Sequence, residues 1–417
     1  MSIDCTQRRV VITGMGVICP SGQDLAHFWE NVRGGISAAA PVQRFDATKL
    51  PVKIGAEVKD FDISRFENGK KLGRFDLTVQ YSVAAAVLAL KDAGIEIGKM
   101  DPDRVSVVEG TTMSGIHSMV KTRDLYVASN SNVRALHPHT LVASYCGGGS
   151  SAIGLQLGIQ GHAVTYCSGC ASGNDAIGHA ADMVRADEVD VAVAGGSEES
   201  LEMMHVGFCR LGVMTELTGE PARAMRPFDR SRDGFLLGQG AAFVVVEELA
   251  HALGRGARIY AEFAGHGRSS EAYHATDPHP DGLGYGRALE KALRQSRLDP
   301  AEVDYINAHG SATPLNDPIE TRAIKRVFLD HARRLAVSAT KPITGHLMGA
   351  AGAVETVICA LAISRAEIPP TINLTEPDEE CDLDYVRDEA RGYPVRAAVN
   401  LNAGFGGRYA CLVLKRI

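Results

Sequence analysis

Apolar residues run through this chain in short unbroken blocks, most of them closed by a glycine-rich or polar turn. RRVVITGMGV (8–17), VSVVEGTT (105–112), HAVTYC (162–167), VDVAVAGGSE (189–198), GAAFVVVEEL (240–249), ARIYAEFAGHG (257–267), VDYINAHG (303–310), RLAVSATK (334–341) and YACLVLKRI (409–417) have the length and composition of strands. Between them TVQYSVAAAVLALKDAGI (78–95), NDAIGHAADMVRADE (174–188) and GAVETVICALAISRAE (352–367) carry the longer period of helices. Strands alternating with helices predict an α/β protein. Near residue 255 the stretch ARIYAEFAGHGRSSEAYH restarts the opening strand and loop. Each side then holds a strand, a glycine-rich turn and a small-residue helix: TYCSGCASGNDAIGHAA in the first, SATKPITGHLMGAAGAVE in the second. This predicts two similar halves, 1–254 and 255–417, with one undivided α/β domain as the alternative.

Composition narrows the class. At 417 residues, 45% hydrophobic and 22% charged, the chain has material for one large or two medium cores. A formal charge of -7 with scattered basic residues offers no nucleic-acid surface. No run approaches the roughly 18 apolar residues of a membrane span, so no membrane partner is expected. The start, MSIDCTQRRVVITGMG, passes from a polar lead into a buried-strand pattern without the regions of a signal peptide. Nine cysteines at irregular spacing fit reduced thiols in the cytoplasm better than a disulfide framework.

Two of those cysteines stand three apart in YCSGCASGNDAIGHA. A zinc site needs a second ligand pair, and no other C-x-x-C or suitably placed H-x3-5-H exists. A redox pair is open but unsupported. A nucleophile needs one thiol at the start of a helix, where unpaired N–H groups and the helix dipole favour thiolate. Cys170 fits that place, and Cys167 reads as a core thiol closing the strand. Groups that steady negative charge or move protons occur at three further strand ends: His309 in INAHGSATPLNDPIET, Lys341 and His346 in SATKPITGHLMGAAGAVE, and the glycine-flanked Phe405 in NLNAGFGGRYA. Taken singly each is more often a structural group; together with Cys170 they form a candidate active site.

With these motifs, and with VDVAVAGGSEES and MRPFDRSRDGFLLGQGAA, nearly the whole chain resembles the β-ketoacyl-[acyl carrier protein] synthases of the thiolase superfamily. The resemblance implies a five-layered αβαβα thiolase-like fold of two related halves, and a dimer. It implies that Cys170 accepts an acyl group from an acyl carrier protein, and that His309 and His346 assist decarboxylation of a malonyl thioester and stabilise the enolate. By the same resemblance the backbone N–H groups of Cys170 and Ala403 form the oxyanion hole. Lys341 and Glu320 are the charged pair behind the site, Ser311 and Thr313 bind the pantetheine arm, and Met113 in GTTMSG lines the acyl pocket near the dimer interface. No cofactor is implied, because the phosphopantetheine arm belongs to the carrier protein.

The chain departs from the family at its last loop, where Ala403 stands for a gating Phe and Arg408-Tyr409 for Thr-Asn. A small gate resembles the ketosynthase (α) subunits of type II polyketide and polyene systems, which pair with a chain-length factor. The expectation leans that way, with housekeeping fatty-acid elongation as the alternative. A vestigial partner subunit, and an acyltransferase that loads without condensing, are the remaining readings; retention of Cys170, His309 and His346 weighs against both.

Overall fold

The computed structural model describes residues 8–66 and 71–417; the polar lead at 1–7, with Cys5, lies outside the described residues. The main ladder takes five strands from the first part of the chain, β1 (Val10–Ile18), β2 (Val105–Gly110), β3 (Ala163–Tyr166), β4 (Val191–Glu198) and β5 (Gly240–Glu248). It takes six from the second part, β6 (Ala261–Ser270), β7 (Tyr305–Asn307), β8 (Ala336–Ser338), β9 (Asp384–Tyr385), β10 (Ala397–Gly404) and β11 (Arg408–Lys415). From β1 outward the first group runs β1-β5-β4-β2-β3, with two antiparallel pairings followed by two parallel ones. From β6 outward the second runs β6-β11-β10-β7-β8 in the same sense, with the short β9 added parallel at its edge. The two groups form two packed sheets that are continuous with each other along one seam. Val10–Ile12 of β1 pair with Phe263–Ala261 of β6, so the ladder continues through a shared seam.

Six helices complete the layers. Helices α1 (Leu77–Ala93) and α2 (Gly148–Leu157) cover one outer face, while α4 (Leu283–Ser296) and α5 (Asn316–Phe328) cover the other. Between the sheets lie α3 (Ser172–Arg185), which follows β3, and α6 (Ala351–Arg365), which follows β8. The alternation along β5 shows how this arises: Ala242, Val244 and Val246 face the middle layer, and Ala241, Phe243 and Val245 face the outer helices. Both faces are covered, so the run Ala241–Val246 is apolar throughout and lacks the two-residue alternation of a half-exposed sheet.

Two segments depart from what a hydrophobic pattern alone conveys. Met348–Arg365 reaches the length and hydropathy of a membrane span, yet 89% of it is buried within the protein. It is apolar all round because α6 is enclosed between two sheets and α3. Strand β10 escapes a hydrophobic scan because Asn400 and Asn402 interrupt its apolar run. Both are fully buried and hydrogen bonded, Asn400 Nδ2 donating to Asn174 Oδ1 at 3.0 Å and Gly352 O at 2.7 Å. A buried amide with its donors satisfied costs little, so a central strand accommodates it.

Candidate active site

The turns preceding α3 and α6 occupy equivalent places after β3 and β8, and together they line one cavity. It measures about 340 Å³ and contains Cys170, His309, His346, Ser311, Thr313, Met348, Ala403 and Phe405 in its wall, with Phe208 and Phe235 on its apolar side. Cys170 reaches it from a turn in which Gly169 has φ +67, a left-handed conformation that a side chain would strain. Ser172 Oγ stitches the turn by accepting from Ser168 N at 2.9 Å and donating to Gly169 O at 2.6 Å. Across the turn lies Gly404, at the end of β10. A Cβ there would sit 2.6 Å from Ser168 O and 3.0 Å from Cys170 N. Gly404→Ala is therefore expected to lower any acyl loading of Cys170 about a hundredfold, since a small misplacement of a reacting atom has effects of that order. Circular dichroism should be unchanged; loading at the wild-type rate would refute the tight fit.

His309 ends the β7 strand, and the first turns of α5 hold the loop behind it. Glu320 accepts from His309 N at 2.6 Å and Gly310 N at 2.9 Å, while Asp317 accepts from Ala312 N at 3.1 Å. The NDPIE segment thus supplies two carboxylates that fix the loop carrying His309, Ser311 and Thr313; the last two hydroxyls are 3.1 Å apart. Burial pushes Glu320 up to about 8. His346 is placed by backbone bonds from its N to Leu236 O and from Gly238 N to its O, each 2.9 Å. Met348 has φ 48, a turn that aims its N–H at His346 Nδ1 over 3.4 Å. That contact makes Nδ1 the acceptor and leaves the proton on Nε2.

The two imidazole rings lie 5.4 Å apart at 81°, and Phe235 meets the His346 ring edge-on at 5.1 Å. Burial holds both well below the ordinary imidazole range, with the Lys341 ammonium acting in the same direction. Burial likewise pushes the Cys170 thiol up to about 12, against the pull of Lys341. The resting site is therefore a neutral thiol beside two neutral imidazoles. For folding, the depressed histidines mean that the unfolded chain binds more protons once pH drops below about 6.5. Their contribution to stability is full above that value and is lost as pH falls below it. Denaturant titrations at pH 7.5 and 5.5 should show a lower midpoint at 5.5 for wild type and a smaller difference for His309→Asn/His346→Asn.

One placement differs from expectation. Lys341 does not pair with Glu320. Its ammonium donates to Glu355 Oε1 at 2.6 Å and to His309 O at 2.5 Å, because Glu320 spends its oxygens on the loop amides. Glu355 lies in α6 within the apolar run GAVETVICALAIS, where a single acid with no aligned base reads as a helix-face charge; this is the site residue the sequence missed. Asn402 Nδ2 donates to its other oxygen at 2.8 Å. Ala403 lies within the β10–β11 ladder opposite Tyr409, whereas Phe405 follows the strand, its amide nitrogen 3.6 Å from where a Cβ on Gly169 would be. Both residues are in the wall of the cavity. Met113 does not line the cavity; it is tied behind it through Glu198, which accepts from Met113 N at 3.1 Å and Gly349 N at 3.0 Å.

Residues 7–252 match the family described as Beta-ketoacyl synthase, N-terminal domain, and residues 260–375 match Beta-ketoacyl synthase, C-terminal domain. The chain belongs to the β-ketoacyl synthase family. The 3-oxoacyl-[acyl-carrier-protein] synthase 2 of Coxiella burnetii is 42% identical over 99% of both chains. The putative polyketide beta-ketoacyl synthase 1 of Streptomyces halstedii is 38% identical over 98% of both. Among solved structures, the ishigamide ketosynthase/chain length factor superposes with a TM-score of 0.92 at 35% identity, covering 98% of this chain and 99% of that one. The protein is thus an enzyme of the β-ketoacyl-[acyl carrier protein] synthase class with a thiolase-like α/β fold. Among the described residues no cluster of His, Cys, Asp and Glu suits a metal ion, and the eight cysteines are unpaired.

Proposed function

We propose that this synthase joins an acyl group held on Cys170 to the carbanion released from malonyl-[acyl carrier protein]. The observation that carries the reading is one cavity in which a thiol at the N-terminus of α3 meets two neutral imidazoles. In loading, Cys170 Sγ attacks the carrier thioester, the pantetheine thiol leaves with the proton, and the oxyanion is met by the amides of Cys170 and Ala403. In the second half-reaction the malonyl thioester loses carbon dioxide. The enolate oxygen is stabilised by N–H donation from His309 and His346, which form no ion pair with the malonyl carboxylate while they are neutral. The enolate carbon then attacks the acyl-Cys170 carbonyl and the thiolate departs. Lys341, through the His309 carbonyl and Glu355, positions rather than reacts. Ser311 and Thr313 face the path of the pantetheine arm.

The enzyme works with an acyl carrier protein, in a compartment that keeps Cys170 reduced, as the cytoplasm does. A second subunit, either another copy or a chain-length factor, covers the unpaired edge strand β3 and the apolar side chains exposed nearby, including Met113, Met119, Leu141 and Tyr145. Ala403 in the cavity wall and the likeness to the ishigamide ketosynthase support a type II polyketide or polyene system. The identity to the Coxiella burnetii synthase favours fatty-acid elongation as the second reading. Intact-protein mass spectrometry with saturated, polyenoyl and polyketide acyl-carrier proteins, followed by malonyl-carrier protein, separates them. Turnover only with a partner subunit or on unsaturated chains is expected; efficient turnover alone on saturated chains would move the enzyme to fatty-acid elongation. His309→Ala and His346→Ala should retain loading and lose most carbon dioxide release. Unimpaired release by both would overturn the assignment.

A further inference from the structure

Arg408 replaces a small residue at the start of β11, and its side chain crosses to another part of the fold. Its Nη1 donates to Cys167 O at 3.0 Å, three residues before the nucleophile. On the way its Nε passes 3.9 Å from where a Cβ on Gly406 would be, so the guanidinium lies over its own loop. In the strand register Arg408 stands opposite Gly404, the residue packed against Cys170 N. The other side of the 404–407 loop is also held. Gly406 N donates to Ala275 O at 2.8 Å and Glu271 N to Gly407 O at 3.1 Å. Between these outer bonds and the nucleophile turn, Arg408 supplies a side-chain bond from the loop hairpin to the residues preceding Cys170.

We propose that Arg408 is a positioning residue that latches the glycine loop to the nucleophile turn and keeps Gly404 packed against the amide of Cys170. The inference rests on the proposed acyl loading of Cys170. Arginine suits this role because a charged donor makes a stronger bond to a carbonyl than a neutral one, and its planar fork is held with little loss of freedom. A threonine at the same position is too short to span from β11 to Cys167.

The test compares wild type, Arg408→Met and Arg408→Lys by two readouts. Rapid-quench loading from an acyl-carrier protein is expected to slow on the order of tenfold at saturation in Arg408→Met, the size of one charge-assisted bond. KM for the carrier should be nearly constant, and Arg408→Lys should recover part of the rate. Hydrogen exchange should quicken at residues 404–407 and 168–170 in Arg408→Met. A change in KM alone with unaltered exchange would make Arg408 a carrier contact and overturn the latch, as would wild-type loading in Arg408→Met. If wild-type protein fails to load any acyl group, the functional reading falls, and the exchange comparison still decides the latch.

Discussion

Cys170→Ala should take up no acyl mass from any acyl-carrier protein, while wild type gains one acyl group per chain. The expectation follows from where the thiol sits, buried at the N-terminus of α3 in the wall of the cavity shared with His309 and His346. Cys167, expected as a core thiol, is instead exposed beyond the end of β3 with its Sγ 3.5 Å from Thr112 O, so it serves as an internal control. Cys167→Ala should load normally. Because burial pushes the Cys170 thiol up, its attack depends on proton removal within the site and not on a standing thiolate. Iodoacetamide should therefore modify Cys170 slowly at pH 7, and Cys167 faster. Acyl loading retained in Cys170→Ala would remove the covalent mechanism altogether. Replacement of a buried thiol by a methyl group removes few contacts, so the variant is expected to fold and to bind carrier protein as wild type does.

The largest stability effect is expected at the Lys341–Glu355 pair, whose side chains are 1% and 4% exposed. Glu355→Ala strands a buried ammonium with the His309 carbonyl as its remaining partner and deprives Asn402 of an acceptor. Removing one member of a buried pair costs about 3–5 kcal/mol. The unfolding midpoint in denaturant should fall accordingly, and decarboxylation should fall with it, because Lys341 Nζ holds the His309 backbone. Glu355→Gln keeps hydrogen-bonding atoms and should lose less. The double replacement Lys341→Met/Glu355→Leu is the discriminating case: without either charge it is expected to regain most of the lost stability and remain inactive. A Glu355→Ala protein as stable as wild type would show that the pair is solvated in solution. A double variant with full activity would show that the pair serves only the fold.

The contrast between those two sites marks what could be read from the chain. Cys170, His309 and His346 each lie in a glycine-bearing segment that follows an apolar strand, a local signal that survives in one dimension. The strands themselves were legible for the same reason, since burial on both faces makes them continuous apolar runs. Glu355 and β10 were not. Glu355 is one acid in an apolar helix, and Asn400 and Asn402 break the pattern of the strand beside it. Their partners are Lys341, Asn174 and the Gly352 carbonyl, separated from them by 14 to 226 positions along the chain. Buried polar groups are tolerated only where a partner waits, and sequence does not say where partners are.

The sequence by itself therefore determined the α/β class, the nucleophile turn and both histidine loops, because backbone conformation and burial are written locally in glycine placement and apolar runs. The tertiary structure decided which carboxylate neutralises Lys341, and that the most apolar helix is core. Those outcomes depend on distances between segments brought together by the stacking of two sheets around α3 and α6, and a chain of residues carries no distances across itself.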